Sequence, residues 1–226
     1  MSFDTLRGAQ YNLLLPQVKQ LVRSWLASGV VLGVWLGTPC TSWSIACRPA
    51  LRDRSNIWGY TEVPAHRLPT LTLGNTTLRF SIVIIKDSLH FEIPCLLENP
   101  DSSLMFHAPP LVALLRHPRC TVARLCMCAY GAPWRKATKI VGWHADCSGL
   151  NKMCHSRGGK CEFQDRYHAI LSGRDPVTGA TWTSLAGRYP SKFSRAAVQI
   201  LAAAANQQYI AAATGVVCKH AGGSRH

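Results

Sequence analysis

Acidic residues are scarce in this 226-residue chain: 11 Asp and Glu stand against 25 Lys and Arg, a formal net charge of +14. A balance this far from neutral points to a polyanionic partner, nucleic acid first. Charged residues of either sign make up only 16% and hydrophobic residues 47%, which excludes a disordered or collagen-like chain. Long apolar runs are also lacking. The longest, Val30–Leu36 and its neighbours, falls far short of the roughly 20 residues of a membrane helix. The opening Met1-Ser2-Phe3-Asp4 has neither a basic nor an apolar region of a signal peptide. The 10 Cys are scattered, so reduced thiols are expected rather than a disulfide framework. No internal repeat of fold-defining length is present. These absences lead to an intracellular protein with no membrane association; nuclear and cytoplasmic locations stay open.

What is present is unevenly distributed. Residues 1–115 hold 9 Lys+Arg and 7 acids, whereas residues 116–226 hold 16 and 4. The second half is the expected polyanion-binding half, although a solvated basic surface would give the same count. Pro16 opens a helical pattern with Val18, Leu21, Val22, Trp25 and Leu26 on one face, stopped at Ser28-Gly29. Val30–Leu36 reads as a buried strand, Thr76–Phe91 as a helix, Ile93–Leu97 as a second strand and Pro110–Leu115 as a short helix. Val122–Cys128 and Lys139–Trp143 read as two more strands. Strands separated by helices predict an α/β fold, a parallel sheet with helices on both faces.

In such sheets chemistry gathers beyond the carboxyl ends of the strands. Cys40 follows the first strand in a tight turn, Gly37-Thr38-Pro39-Cys40, where a thiol near main-chain donors can act as a nucleophile. Glu98 follows the second strand and can reach the same pocket as a proton donor. Most of the other cysteines read as small buried hydrophobes.

Gly37-Thr38-Pro39-Cys40-Thr41-Ser42-Trp43-Ser44 resembles the catalytic loop of the DNA (cytosine-5) methyltransferases. Leu97-Glu98-Asn99-Pro100 is similar to that family's Glu-Asn-Val motif, and Ala129–Lys136 to its later Tyr-Gly-x-Pro segment. Tyr189-Pro190 and the helix after it resemble the family's last motif. The four occur in the family's order and look most like its divergent, phage- or mobile-element-like branch. The resemblance implies a Rossmann-like methyltransferase sheet. It is expected to be incomplete, because Met1 begins too late for the family's first strand and glycine turn.

The resemblance implies that the Cys40 thiolate attacks cytosine C6 and that Glu98 holds N3 and the exocyclic amine. Arg135 or Lys136 would steady the Glu and the base, while Ser44 and Asn99 order the loop. The base would be flipped out of duplex DNA, and S-adenosylmethionine would give the methyl group. Asp4, Asn12 and Pro39 are the candidate cofactor contacts. The chain departs from the pattern at Thr41, Pro100 and Thr138. Turnover by this chain alone therefore stays open, and a partner chain could supply the cofactor motif.

The expected organisation is a methyltransferase-like part over 1–143, an irregular basic Cys/His insert over 144–186, and a returning helix with a tail over 187–226. In the insert, Cys147, Cys154, Cys161 and His168 recur at intervals of 7. Cys₃His is a legitimate zinc set, although ordinary packed thiols would also fit, and His155 is a spare ligand. Trp134, Trp143, Tyr167 and Trp182 lie among the basic residues and could stack on bases, with core packing the alternative, favoured for Trp143. Two further readings compete with methyl transfer. One is a non-catalytic basic nucleic-acid-binding module, a relict fold with a zinc-stabilised insert. The other is a thiol hydrolase pairing Cys40 with His90 or His107.

Overall fold

The computed structural model describes residues 8–156 and 159–214. Helix α1, Pro16–Ala27, starts with proline in its first turn and buries Val18 and Leu26, two turns apart on one face. Its stop is Gly29, whose φ of +75° a side chain rarely adopts. Strand β1 follows as Val34–Gly37. It is shorter than the apolar run suggests: Val30 and Leu32 are 70% and 75% exposed and lie outside the ladder. Helix α2 spans Leu68–His90, and strand β2 spans Cys95–Pro100. Then come the short helix α3, Pro109–Leu115, and strands β3, Cys120–Cys126, and β4, Ala137–Trp143. The one-turn helix α4, Trp182–Leu185, precedes α5, Ser191–Thr214.

The four strands form one sheet in the order β1-β2-β4-β3. Only β1 and β2 pair in parallel; β4 runs antiparallel to both of its neighbours, β2 and β3. The sheet is therefore mixed, not parallel as the alternation of helices and strands suggests. The reason lies in the connections. The β1–β2 crossover contains the 23-residue α2, whereas β3 and β4 are joined only by residues 127–136. A parallel crossover needs a dozen or more residues, so the shorter link returns antiparallel.

Successive side chains of a strand point to opposite faces, and here both faces are covered. Cys95, Leu97, Val141 and Trp143 face α2 and α3, meeting Leu78, Ile82, Ile85, Leu111 and Leu114. Leu96, Ala123, Leu125 and Ile140 face α5, meeting Phe193, Ala197 and Ala204. Helix α1 lies outside α2, contributing Leu26 to a cluster with Phe80, Ile84 and Ile93. Residues Ala65–His90 are long and apolar enough to cross a bilayer by length and composition, with an 18-residue window of mean hydropathy 1.2, although their longest uninterrupted apolar run is only Ile82–Ile85. Of that window 44% is buried inside the protein, so its apolar content serves the core between sheet and α1. Residues 144–156 and 159–181 carry only one short 3-10 turn and isolated bridges.

Phe193 ties α5 to the sheet. It is fully buried and makes edge contacts with the rings of Trp35 and Tyr130. Phe193→Ala is expected to cost about 3–5 kcal/mol through lost transfer energy and a cavity that the rings around it cannot fill. Urea unfolding measures it; a cost below about 1 kcal/mol would show that α5 is not held by this contact.

Candidate active site

The parallel pairing of β1 with β2 sets Gly37 opposite Glu98. Both strands point their carboxyl ends the same way, so the turn after β1 and the end of β2 share one edge of the sheet. Asn99 fastens the two: its Nδ2 donates to the Thr38 carbonyl at 2.7 Å, fully buried. Thr38 Oγ1 and Ser81 Oγ of α2 lie 2.7 Å apart and share a hydrogen bond. The chain then turns at Cys40, whose carbonyl accepts the Trp43 amide at 2.9 Å.

Arg52 holds the far side of this turn, and no sequence pattern marks it. It is buried. Its Nε donates to the Ser42 carbonyl at 2.9 Å and its Nη2 to Ser42 Oγ at 3.0 Å. Nη1 donates to the Ile57 carbonyl and to Asn75 Oδ1, at 2.9 and 2.8 Å. The guanidinium lies 3.5 Å from the ring centre of the buried Trp43. Burial lowers its pKa to about 10, which leaves it charged at neutral pH. Ser44, the expected loop-ordering residue, acts only locally, accepting the Ala46 amide at 3.1 Å.

Glu98 is the hub. Its Oε2 accepts the Tyr189 hydroxyl at 2.8 Å. Its Oε1 is buried without a hydrogen-bond partner, with Lys136 Nζ at 3.7 Å. Lys136 Nζ also donates to the Ala186 carbonyl at 3.3 Å. Of the two candidate bases, Lys136 therefore stands at Glu98. Arg135 does not: its Nε donates to the Cys154 carbonyl at 2.7 Å, in the Cys-rich region. Burial raises the Tyr189 phenol well above its usual pKa, and the charge and hydrogen bond of Glu98 raise it further. Tyr189 was legible only as part of a motif, not as the partner of Glu98.

Cys40 is half-buried. Burial pushes its thiol up, the Lys136 ammonium pulls it down and Glu98 pushes it up again. Those two charged groups act on Cys40, and no histidine is among the groups that shift it. Next to them a cleft of about 590 Å³ is lined by Trp134, Arg188, Tyr189 and Lys192, among others.

The expected cofactor contacts do not converge. Asp4 lies outside the described residues. Asn12 Oδ1 accepts the Leu14 amide at 2.9 Å, completing its own turn before α1. Pro39 is exposed beside Cys40. Among the described residues no glycine turn at a strand end forms a cradle for S-adenosylmethionine.

The Cys/His set is real but differs by one member. Cys128, Cys154, Cys161 and His168 bring their ligand atoms within 4.8 Å of one another and could hold a metal ion. Cys147 is not among them. Its thiol is buried on the α5 face of the sheet, 3.3 Å from Thr121 Oγ1. The 3-10 turn Met127–Tyr130 at the end of β3 supplies Cys128 instead. A regular spacing along the chain could not anticipate a ligand from another element. His155 turns to Glu162, with Nδ1 3.6 Å from its carboxylate. Burial raises the Cys128 thiol. Burial also opposes ionisation of Cys154, but hydrogen bonds from the amides of Glu162 and Ser156 and from the Cys128 and Cys161 thiols together outweigh it and lower that thiol. The aromatic candidates divide. Trp134 and Trp143 are core and Trp182 is half-buried, while Tyr167 is 67% exposed.

Comparison with known proteins finds no matching family model, curated protein or solved structure.

Two outcomes are expected. Cys40 alkylation, read on its own peptide, is slow at pH 7 and rises through alkaline pH, because burial favours the neutral thiol. Lys136→Met removes a positive neighbour and moves the profile to higher pH; Glu98→Gln removes a negative one and moves it lower. Shifts of the opposite sign would show that these charges do not face Cys40. Arg52→Met strands buried acceptors in three segments and is expected to cost about 3 kcal/mol or more in urea unfolding. A loss under about 1 kcal/mol would count against the clamp.

Proposed function

We propose that the chain engages cytosine in DNA as a cytosine-5 methyltransferase-like protein, with Cys40 as nucleophile and Glu98 as the group that holds the base. One observation carries the reading. A thiol and a carboxylate occupy adjoining strand ends, and one buried oxygen of that carboxylate lacks a hydrogen-bond partner. A structural carboxylate would satisfy both oxygens, because an unsatisfied buried acceptor costs free energy. An acceptor left open suits a ligand that donates, as the exocyclic amine of cytosine does.

In this reading the Cys40 thiolate adds to C6, forming the S–C6 bond, and the ring's electron pair moves toward C5 and N3. Glu98 Oε1 takes the amine. Tyr189 fixes the other oxygen and so the plane of the carboxylate. Lys136 keeps the pair near neutral as charge develops on the ring. Ser42 and Trp43, held by Arg52, keep the turn of Cys40 in shape. The exposed Arg188 and Lys192 beside the cleft suit phosphates, whose contacts give salt-sensitive affinity without reading sequence.

S-adenosylmethionine is the methyl donor that the resemblance implies. The described residues account for the base half of the reaction and not for the donor half, and a partner chain carrying the donor site would complete it. Zinc is the ion we assign to the Cys₃His group, since three thiolates and an imidazole suit it. The module reading, basic nucleic-acid binding without chemistry, draws on the same Arg188 and Lys192 and on the lack of a donor cradle among the described residues.

C6 addition alone labilises the hydrogen on C5, so deuterium uptake at C5 of a duplex cytosine tests the base half without any donor. The chain is expected to catalyse it; Cys40→Ser abolishes it and leaves DNA affinity within about twofold, and Glu98→Gln slows it by ~100-fold. Uptake that persists in Cys40→Ser would overturn the role of Cys40. Salt-sensitive DNA binding with no uptake would favour the module.

A further inference from the structure

Two segments meet at the Cys₃His group. Cys128 belongs to the turn after β3, and Cys154, Cys161 and His168 belong to the irregular region. The buried cluster here is made of Cys126, Cys128, Cys154 and Cys161, with Ala137 and Met153 half-buried beside it and no aromatic or branched aliphatic side chain. A junction whose interior is sulfur has little apolar area to hold it, and a metal is the common remedy. The donors suit zinc. Cys154 Sγ and His168 Nε2 are 3.7 Å apart, within a few tenths of an ångström of the ~3.5 Å edge of a tetrahedron with Zn–S ≈ 2.3 Å and Zn–N ≈ 2.0 Å. The Phe163 amide donates to Cys161 Sγ at 3.4 Å. That amide lies two residues beyond its cysteine, an arrangement that orients and stabilises a thiolate ligand. The three cysteines are buried and all four donors belong to this chain, so the set closes without an open position, as structural sites do.

Residues 164–169 also hold the loop that ends at Lys136. Gln164 Nε2 donates to the carbonyls of Cys128 and Ala132. Arg166 Nη2 donates to the Gly131 carbonyl at 3.2 Å, and the Ala169 amide to the Pro133 carbonyl at 2.8 Å. Arg135 closes the circuit on the Cys154 carbonyl. Arg166 is exposed and Gln164 half-buried, so these bonds compete with water, while Ala132 and Trp134 pack the same loop into the core.

We propose that one zinc ion bound by Cys128, Cys154, Cys161 and His168 fastens the Gly131–Lys136 loop, so that the Lys136 ammonium reaches Glu98 and Cys40 only in the metal-loaded protein. The inference extends the zinc assignment and is independent of the cytosine chemistry, because every measurement below omits DNA and methyl donor. Lys136 is here a positioning residue that acts through Glu98 and the Cys40 thiol.

The experiment uses the full chain, purified under reducing conditions. One zinc per chain is expected, and cobalt in its place should give thiolate charge-transfer and tetrahedral d–d absorption. Cys161→Ser should lose the ion, whereas Cys147→Ser should keep it. Chelation should speed hydrogen exchange at the Gly131, Ala132 and Ala169 amides at least tenfold and leave the β2 amides of Leu97 and Glu98 unchanged. It should also move the Cys40 alkylation profile to higher pH, and should move it no further in Lys136→Met. A reduced chain that takes up neither zinc nor cobalt overturns the proposal. So does loss of the ion in Cys147→Ser with retention in Cys161→Ser. Chelation that leaves loop exchange and the Cys40 profile unchanged refutes the coupling, as does equal acceleration in the loop and in β2.

Discussion

The pairing of β1 with β2 is the constraint on which the site depends. Its register aligns Gly37 with Glu98, and a slip of one residue would turn every side chain of β1 to the other face. Glu98 would then still meet Tyr189, but the turn with Cys40 would leave the edge. Two contacts make the register costly to change. Asn99 spends its amide donor on the Thr38 carbonyl inside the protein, and Tyr189 Oη lies 3.1 Å from where a side chain on Gly37 would begin. The second contact explains a glycine at the end of β1. A methyl group there would press on the hydroxyl that holds Glu98.

Around that edge the protein buries more charge than its stability alone calls for. Arg52, Glu98 and the half-buried Lys136 all lie within one or two elements of Cys40. Removing charges from water is costly, and a buried ion pair often returns no more than an apolar pair would. The two cations divide the work differently. Arg52 makes four hydrogen bonds, to two carbonyls, an amide oxygen and a hydroxyl, and lies on an aromatic face, so it acts as scaffold. Lys136 stands 3.7 Å from Glu98, too far for a hydrogen bond, and so keeps a donor free. A cation fixed by four hydrogen bonds beside an unsaturated pair is what a rigid frame around an adaptable site requires.

Much of this was legible in the sequence, and what was not has physical causes. The turn after β1 and the end of β2 were legible because apolar runs ending in Pro, Gly and Asn mark strand ends locally. The reversal of β4 was not, because helix and strand alternation suggests parallel pairing and only the length of residues 127–136 argues against it. Arg52 gave no signal: its partners in residues 42, 57 and 75 are joined only by folding. The metal set failed at one position for the same reason. Cys154, Cys161 and His168 are local to one segment, while the fourth donor comes from the end of β3, and Cys147 fits the spacing but lies under α5.

The segment before β4 shows how one short motif serves two places. Arg135 and Lys136 are adjacent, yet one donates to Cys154 and the other stands at Glu98. Successive residues entering a strand point to opposite sides, so a pair of bases here must divide between the two sides of the sheet edge. The division follows from backbone geometry rather than from side-chain chemistry. It makes the position of Lys136 inseparable from that of Arg135: a shift of the backbone that frees one moves the other. The Met127 amide, bonded to the Lys136 carbonyl at 3.0 Å, extends the β3–β4 ladder to this point. The loop is thus anchored to the sheet at both ends, and the contacts of residues 164–169 along its middle decide how far it can yield.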